Sequence, residues 1–427
     1  MKKKQILTIA VAAMFVSVAA IGLWQLWGSE EGYDPGEGVL LSFNEFELEF
    51  VTLGERNLTV SQAHSIAMER INETGGGSSG AENWTTLWTM SHGEYTWVEN
   101  TSDWDELMLK DFRYVSFSKE NEKPVAREDA LGELIVSLMG PKNRIVVMSP
   151  SIKDIVVALG EKDNIAGADN WSHNELGIPH ISDVGGYQAA NFATIVRANP
   201  DLVIVDTSWG AGEMTKLLVD AGLPVIGIDS RASMDIIMDN IINIGYATGS
   251  AAIAKEITER MENIANALTD RIKEEEAPSV LMTMNFFPDR PGELFLYGLE
   301  TPQSNLLVAV GGKNVLDVTG WPPRDRAYIA ANFETSAQMI IMIGMGSSAS
   351  AREFTEDPVF EGMQAVADGN VFTIDGFAAN AINRSTPDIV YAMAFLYLLM
   401  VDDDIISFGN NYKEVIMTHP KTALIFG

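Results

Sequence analysis

The chain has 427 residues, of which 46% are hydrophobic, so it is too long for one ordinary core and too apolar to be disordered. Its net charge is -30, from 59 acidic and 29 basic residues, which disfavours binding to nucleic acid or to an anionic membrane surface. It contains no cysteine, which excludes disulfides, thiolate metal sites, a cysteine nucleophile and a lipid anchor on an N-terminal cysteine.

Residues 1–28 read as a targeting segment. Lys2, Lys3 and Lys4 precede an uncharged run, Ile6–Leu26, long enough to span a bilayer, and Trp24 and Trp27 fall where an outer aromatic belt would lie. The lysines predict the N-terminus inside and the remainder outside the membrane. An uncleaved anchor is the preferred reading, and a cleaved signal the alternative. Residues 29–38 form an acidic linker containing Gly and Pro.

Residues 39–140 have the texture of an accessory module. The break GGGSSG at 75–80 is followed by aromatic-rich runs around Trp84, Trp88, Trp97, Tyr114 and Phe117, which predict a small α+β unit. Every asparagine between positions 51 and 120 (Asn57, Asn72, Asn83, Asn100) starts an N-x-S/T sequon, and Asn170 and Asn383 add two more. The pattern favours a glycosylated exterior module over chance.

From residue 141 the chain alternates β-branched runs with helical patterns. Strands are expected at Asn143–Pro150, Asn164–Ala168, Pro200–Asp206 and Pro224–Asp229, with helices at Ser151–Leu159, Met214–Ala221 and Met234–Thr248. Such alternation implies a parallel sheet, whose ligands bind beyond the carboxyl ends of the strands. That places Ser151, Trp171, Tyr187 and Trp209 near one mouth. Residues 250–276 read as a long helix, about 40 Å, with a stripe of Ile253, Ile257, Met261, Ile264, Leu268 and Ile272 and with Ser250 as its cap. It is either a brace joining two lobes (141–249 and 277–427) or an ordinary core-facing helix. The second half repeats the texture, with strands at Ser279–Phe287, Leu294–Tyr297, Ala337–Met345 and Val371–Ile374, and helices at Ser304–Val310 and Pro387–Met400. The fold class is therefore α/β, two lobes with mainly parallel sheets, preceded by a small α+β module.

The stretches NRIVVMSPSIKDIVVALGEKDNIAGADN (143–170), DVGGY (183–187), IVRANPDLVIVD (195–206), LLVDAGLPVIGID (217–229), LLVAVGGKNVLD (306–317) and RSTPDIVYAMAFLYLL (384–399), in this order and spacing, resemble the class III periplasmic binding proteins, the substrate-binding components of ABC importers for iron complexes and cobalamin. The resemblance runs from about 143 to 400. It implies two α/β lobes, a rigid brace helix, a ligand cleft between the lobes and an ABC permease as partner. It also implies a docking glutamate on each lobe; Glu213 is the match in the first lobe, and Glu353 or Glu356 in the second. Thr335–Gly346 departs from the family pattern, as does the missing N-terminal cysteine, which leaves the N-terminal segment as the tether.

No nucleophile elbow, HExxH or Walker loop is present, and the close pair His173 and His180 is spaced as loop residues rather than as metal ligands. Gly185-Gly186 and Gly311-Gly312 read as turns. Trp171, Tyr187, Trp209, Phe287, Tyr297 and Trp321, at expected strand ends and loops, are the aromatic candidates for contact with a bulky ligand. Arg324 and Arg384 are the basic candidates for its oxygens, and Arg384 matches a family position for ligand or interlobe contact. The expectation is a non-enzymatic, monomeric, membrane-anchored, extracytoplasmic protein. It needs no cofactor of its own, and it carries a small-molecule metal chelate such as a ferric siderophore or cobalamin to its permease. An anchored surface protein using the same fold for adhesion is the alternative.

Overall fold

The computed structural model describes residues 38–42, 48–52, 57–74, 84–91, 98–119, 129–131 and 142–426, apart from breaks at 187–188, 209–211, 231–232, 270, 272–276, 285–291, 345–350, 403 and 406. The N-terminal segment read as an anchor lies outside the described residues.

The first module is built from β1 (Gly38–Ser42), β2 (Leu48–Thr52), helix α1 (Val60–Thr74), β3 (Trp84–Ser91), β4 (Val98–Asn100) and β5 (Phe112–Lys119). The strands form one sheet in the order β2-β1-β5-β3-β4. Only the β1–β5 pairing is parallel. Val60 and Ala63 of α1 pack with Leu87, Val115 and Phe117 of the sheet, as alternation along the strands requires. His64 joins this core, with its ring edge-on to Trp104 and Phe117 at centroid distances of 5.4 and 4.5 Å.

The first lobe contains β6 (Ile145–Val147), α2 (Pro150–Ala158), β7 (Ile165–Ala168), α3 (Asn170–Leu176), β8 (Ser182–Asp183), a two-residue ribbon β9 (Gly185–Gly186) and β10 (Ala189–Ala190), α4 (Phe192–Arg197), β11 (Leu202–Asp206), α5 (Gly212–Asp220), β12 (Val225–Ile228) and α6 (Met234–Thr248). Its parallel sheet runs β12-β11-β6-β7-β8. The β-branched runs are buried along their length, as expected for strands covered on both faces. Residues 129–131, assigned above to the accessory module, instead close the β12 edge. Ala130 N donates to Gly227 O at 3.1 Å, Gly227 N donates to Asp129 Oδ2 at 2.6 Å, and the Leu131 side chain lies over Gly227.

The second lobe contains β13 (Ser279–Met284), β14 (Glu293–Phe295), β15 (Lys313–Asn314), β16 (Pro323–Asp325), β17 (Met339–Ile343), β18 (Val371–Ile374) and β19 (Ser407–Phe408). Its parallel sheet runs β15-β13-β17-β18-β19, with β14 and β16 as an antiparallel ribbon. Within the apolar run at 337–345, Met339–Ile343 is therefore a central strand. Between the two lobes runs α7 (Ala251–Leu268); within the second lobe come α8 (Pro302–Ala309), α9 (Arg326–Phe333), α10 (Arg352–Thr355), α11 (Gln364–Ala367), α12 (Gly376–Asn383), α13 (Ile389–Val401), α14 (Tyr412–Thr418) and α15 (Ala423–Phe426).

Helix α7 is shorter than its sequence pattern suggests: 18 residues, or about 27 Å, ending where Thr269 turns to extended backbone. Ser250 does not cap it; its hydroxyl donates to the Glu161 carboxylate. Nor does Ile253 join the buried stripe, being 43% exposed. The crossing of α6 and α7 is made by small residues, and a Cβ on Gly245 would come within 2.5 Å of Ala254 Cβ, so Ala251 and Ala254 face inward and Ile253 is turned out. Met261, Ile264 and Leu268 are buried as the pattern predicts. Helix α7 packs on α6 of the first lobe and on α13 of the second. One contiguous apolar cluster runs from Ile145 and Ile204 through Met261 to Met282, Ile341 and Phe395, and so passes through both lobes.

Candidate ligand site between the lobes

The helices that line a groove start just past three strand carboxyl ends. After β6, Ser149 accepts from Ile152 N (3.4 Å) and starts α2, with Pro150 in its first turn. After β18, Asp375 caps α12, and after β19, Asn410 Oδ1 accepts from Phe377 N (3.0 Å). Helices α2 and α3 form one wall, and α12 and α14 the other. The groove has a volume of ≈ 840 Å³, within the range of small-molecule and cofactor sites.

A charge cluster crosses it. Arg384, at the end of α12, donates through Nη1 to Asp154 Oδ2 (2.9 Å) and Glu175 Oε2 (2.9 Å), and through Nη2 to Glu175 Oε1 (2.5 Å). Lys153 Nζ donates to Glu175 Oε2 (2.8 Å) and also pairs with Asp154. Burial opposes ionisation of Glu175, but the hydrogen bonds from Arg384 and Lys153 override it and hold the carboxyl down at about 2. On the α14 side, Lys413 Nζ donates to Asp388 Oδ1 (2.6 Å) and Tyr412 Oη to Asp388 Oδ2 (2.8 Å).

Arg384 also borders a second, smaller cavity of ≈ 40 Å³, shared with Ser230, Gln303, Trp321, Asn383 and Ser385. Here Ser385 Oγ donates to the Ser230 carbonyl at 2.5 Å, a second link between lobes. The Asn383 amide is held at both ends: Oδ1 accepts from Tyr297 Oη (3.0 Å) and Gln303 Nε2 (3.3 Å), and Nδ2 donates to Gly344 O (3.0 Å). The side-chain nitrogen of this sequon is therefore already hydrogen-bonded in the folded chain.

Of the residues expected to meet a ligand, Arg384 lies between both cavities and Trp321, half-buried, lines the smaller one. Tyr187, Trp209 and Phe287 lie outside the described residues. Tyr297 is 1% exposed, its hydroxyl is committed to Asn383, and burial raises its pKa. Ser151 is buried in the first turn of α2, and Trp171, 61% exposed on α3, lines neither cavity. Arg324 sits on the β14–β16 ribbon over the Tyr328 ring (5.1 Å), donates to Pro323 O (2.8 Å) and borders neither of these two cavities. Glu213 is exposed in the first turn of α5. The carboxylate of Glu353 is taken by Arg326 at 2.8 Å, and Arg326 also binds Asp357 at 3.0 Å. Sequence reasoning missed Lys153, Asp154, Glu175 and Asn380. The one local signal was a Lys-Asp pair inside the apolar run of α2; nothing near Glu175 marks it.

Two parallel-sheet lobes with a groove lined by helices of both are the architecture of a solute-binding protein. A family model described as Periplasmic binding protein matches residues 145–377, more than half of the chain. The chain therefore belongs to this family, the class III periplasmic binding proteins of ABC importers, and is a binding protein rather than an enzyme. It is 25% identical over 274 residues to an uncharacterised ABC transporter substrate-binding lipoprotein of Bacillus subtilis, covering 62% of this chain and 82% of that one. It is 23% identical over 278 residues to a cobalamin-binding protein of Halobacterium salinarum, covering 64% of this chain and 72% of that one. Among solved structures, a possible iron-binding (periplasmic solute-binding) protein from Staphylococcus epidermidis matches in fold. Its TM-score is 0.51 at 21% identity, with 62% of this chain and 100% of that one covered.

Proposed function

We propose that this chain captures a metal chelate, a ferric complex or a corrinoid, in the groove between its lobes and delivers it to an ABC permease outside the cytoplasm. The observation that carries this is the Arg384 cluster: one guanidinium from the second lobe, held by two carboxylates of the first, borders a groove of cofactor size. Trp321 supplies apolar area beside it, and Glu213 is the docking contact in the first lobe. Helix α7 serves as the brace, and residues 1–28 as the membrane tether. The test is a titration of intrinsic tryptophan fluorescence with cyanocobalamin, haemin and a ferric siderophore. Saturable quenching by one of them, weakened by Trp321→Ala and by Arg384→Met, is the expected result. Flat titrations with all three, together with no thermal shift, would overturn the reading.

A further inference from the structure

A groove that takes a charged cargo normally keeps an unpaired counter-charge for it. This one does not. The charged residues of its lining are the cations Lys153, Arg384 and Lys413 against the carboxylates Asp154, Glu175, Asp388 and Glu414, three against four. Each cation already has a carboxylate at hydrogen-bond distance: Arg384 and Lys153 are bound by Glu175 and Asp154, and Lys413 by Asp388. Arg384 and Lys153 retain only 16% and 9% side-chain exposure. Apart from the Glu414 carboxylate, what the groove still offers is neutral: the carboxamides of Asn380 and Asn411, the remaining amide capacity of Asn410, and the apolar surfaces of Phe377 (59% exposed) and Met417 (46% exposed).

We infer that Glu175, seconded by Asp154, is a specificity-determining residue: by saturating Arg384 and Lys153 it makes the groove reject polyanionic complexes and select a bulky, neutral chelate rich in amide or hydroxyl groups. The inference rests on the reading that the groove receives the cargo. Its chemistry is that of charge balance. A trianionic complex entering the groove meets four carboxylates, and it can reach Arg384 only by displacing one of them. A neutral complex with peripheral amides exchanges hydrogen bonds with Asn380, Asn410 and Asn411 while its apolar body covers Phe377 and Met417.

The test has two arms on the full chain. In the first, citrate serves as a trianionic probe at constant ionic strength, read by thermal shift and calorimetry. Wild type is expected to bind it no better than millimolar, Glu175→Gln at least tenfold more tightly, and Lys153→Met more weakly than wild type. Equal citrate affinity in wild type and both variants would overturn the inference, and so would tight citrate binding by wild type. Should Glu175→Gln not fold, Asp154→Asn and Lys153→Met still carry the opposite signs. In the second arm, the affinity ratio of cyanocobalamin to a trianionic ferric tris-catecholate is measured. Wild type is expected to favour the neutral complex by at least tenfold, and Glu175→Gln to reduce that ratio by at least tenfold; a ratio unmoved by the variant counts against the inference. If neither chelate binds while the citrate arm behaves as stated, the cargo reading fails and the role of Glu175 stands.

Discussion

Arg384 and Glu175 face each other across the lobes, joined by two hydrogen bonds at 2.9 and 2.5 Å between residues 209 positions apart in the chain. The pairing is bidentate, and Lys153 holds Glu175 from the other side at 2.8 Å, so the guanidinium is fixed in direction as well as in place. Arg384→Met removes the partner of two part-buried carboxylates, Asp154 and Glu175. Urea denaturation is expected to show a loss of about 2 kcal/mol, with most of it recovered when Glu175→Gln is added.

The same pair makes the interlobe contact sensitive to acid. The Glu175 carboxyl, ordinarily near 4.5, sits at about 2 in the folded chain. A depressed folded value means that the contribution is present in full above pH 4.5 and is lost as the pH falls toward 2. Hydrogen exchange of α3 and α12 is expected to rise over that window in wild type and to be flat across it in Glu175→Gln.

In the first module the sign concerns a histidine. Burial lowers the pKa of His64 below its usual 6.5. The unfolded chain then takes up the proton first, so the module is at full stability above pH 6.5 and loses stability below it. His64→Phe, which keeps the ring contacts with Trp104 and Phe117, is expected to remove that dependence when amide exchange in α1 is followed from pH 7.5 to 5.

Gly227 is a steric test of how residues 129–131 attach. A Cβ there would lie 2.6 Å from Leu131 Cγ. Gly227→Ala is expected to cost about 1–3 kcal/mol, the usual range for overpacking, and to expose residues 129–131 to protease. Adding Leu131→Ala should restore protection; failure of that rescue would assign the damage to the strand itself.

Because one apolar cluster runs through both lobes and α7 packs on each, the lobes are expected to rock rather than swing apart. Small-angle scattering with and without cyanocobalamin should give radii of gyration within about 1 Å of each other. A larger change would mean a hinge that the α6–α7 crossing does not allow.

The strands were legible because burial on both faces writes itself as a continuous run: LVIVD at β11 and MIIMI at β17 are buried at every position. The short helices α3 and α12 were not, although each has an Asp cap, because 7 and 8 residues carry too little periodicity to separate from a loop. Arg384 was visible through the family pattern, whereas its partner Glu175 lies in a polar helix whose relevance appears only when the lobes close on each other. The burial of Tyr297 was not legible for a related reason. Its position beside a strand end is that of a ligand contact, but Asn383, far along the chain, takes its hydroxyl.

The contact made by residues 129–131 also bears on how the protein keeps to itself. An open parallel sheet ends in rows of unpaired peptide groups that can template a strand from a neighbouring molecule. In the first lobe, Ala130 and Asp129 satisfy Gly227 on the β12 side, and the other border strand, β8, is two residues long before the chain turns into the β9–β10 ribbon. Among the described residues neither border presents a long backbone ladder, so crowding brings first lobes of neighbouring molecules together without offering them a strand to share.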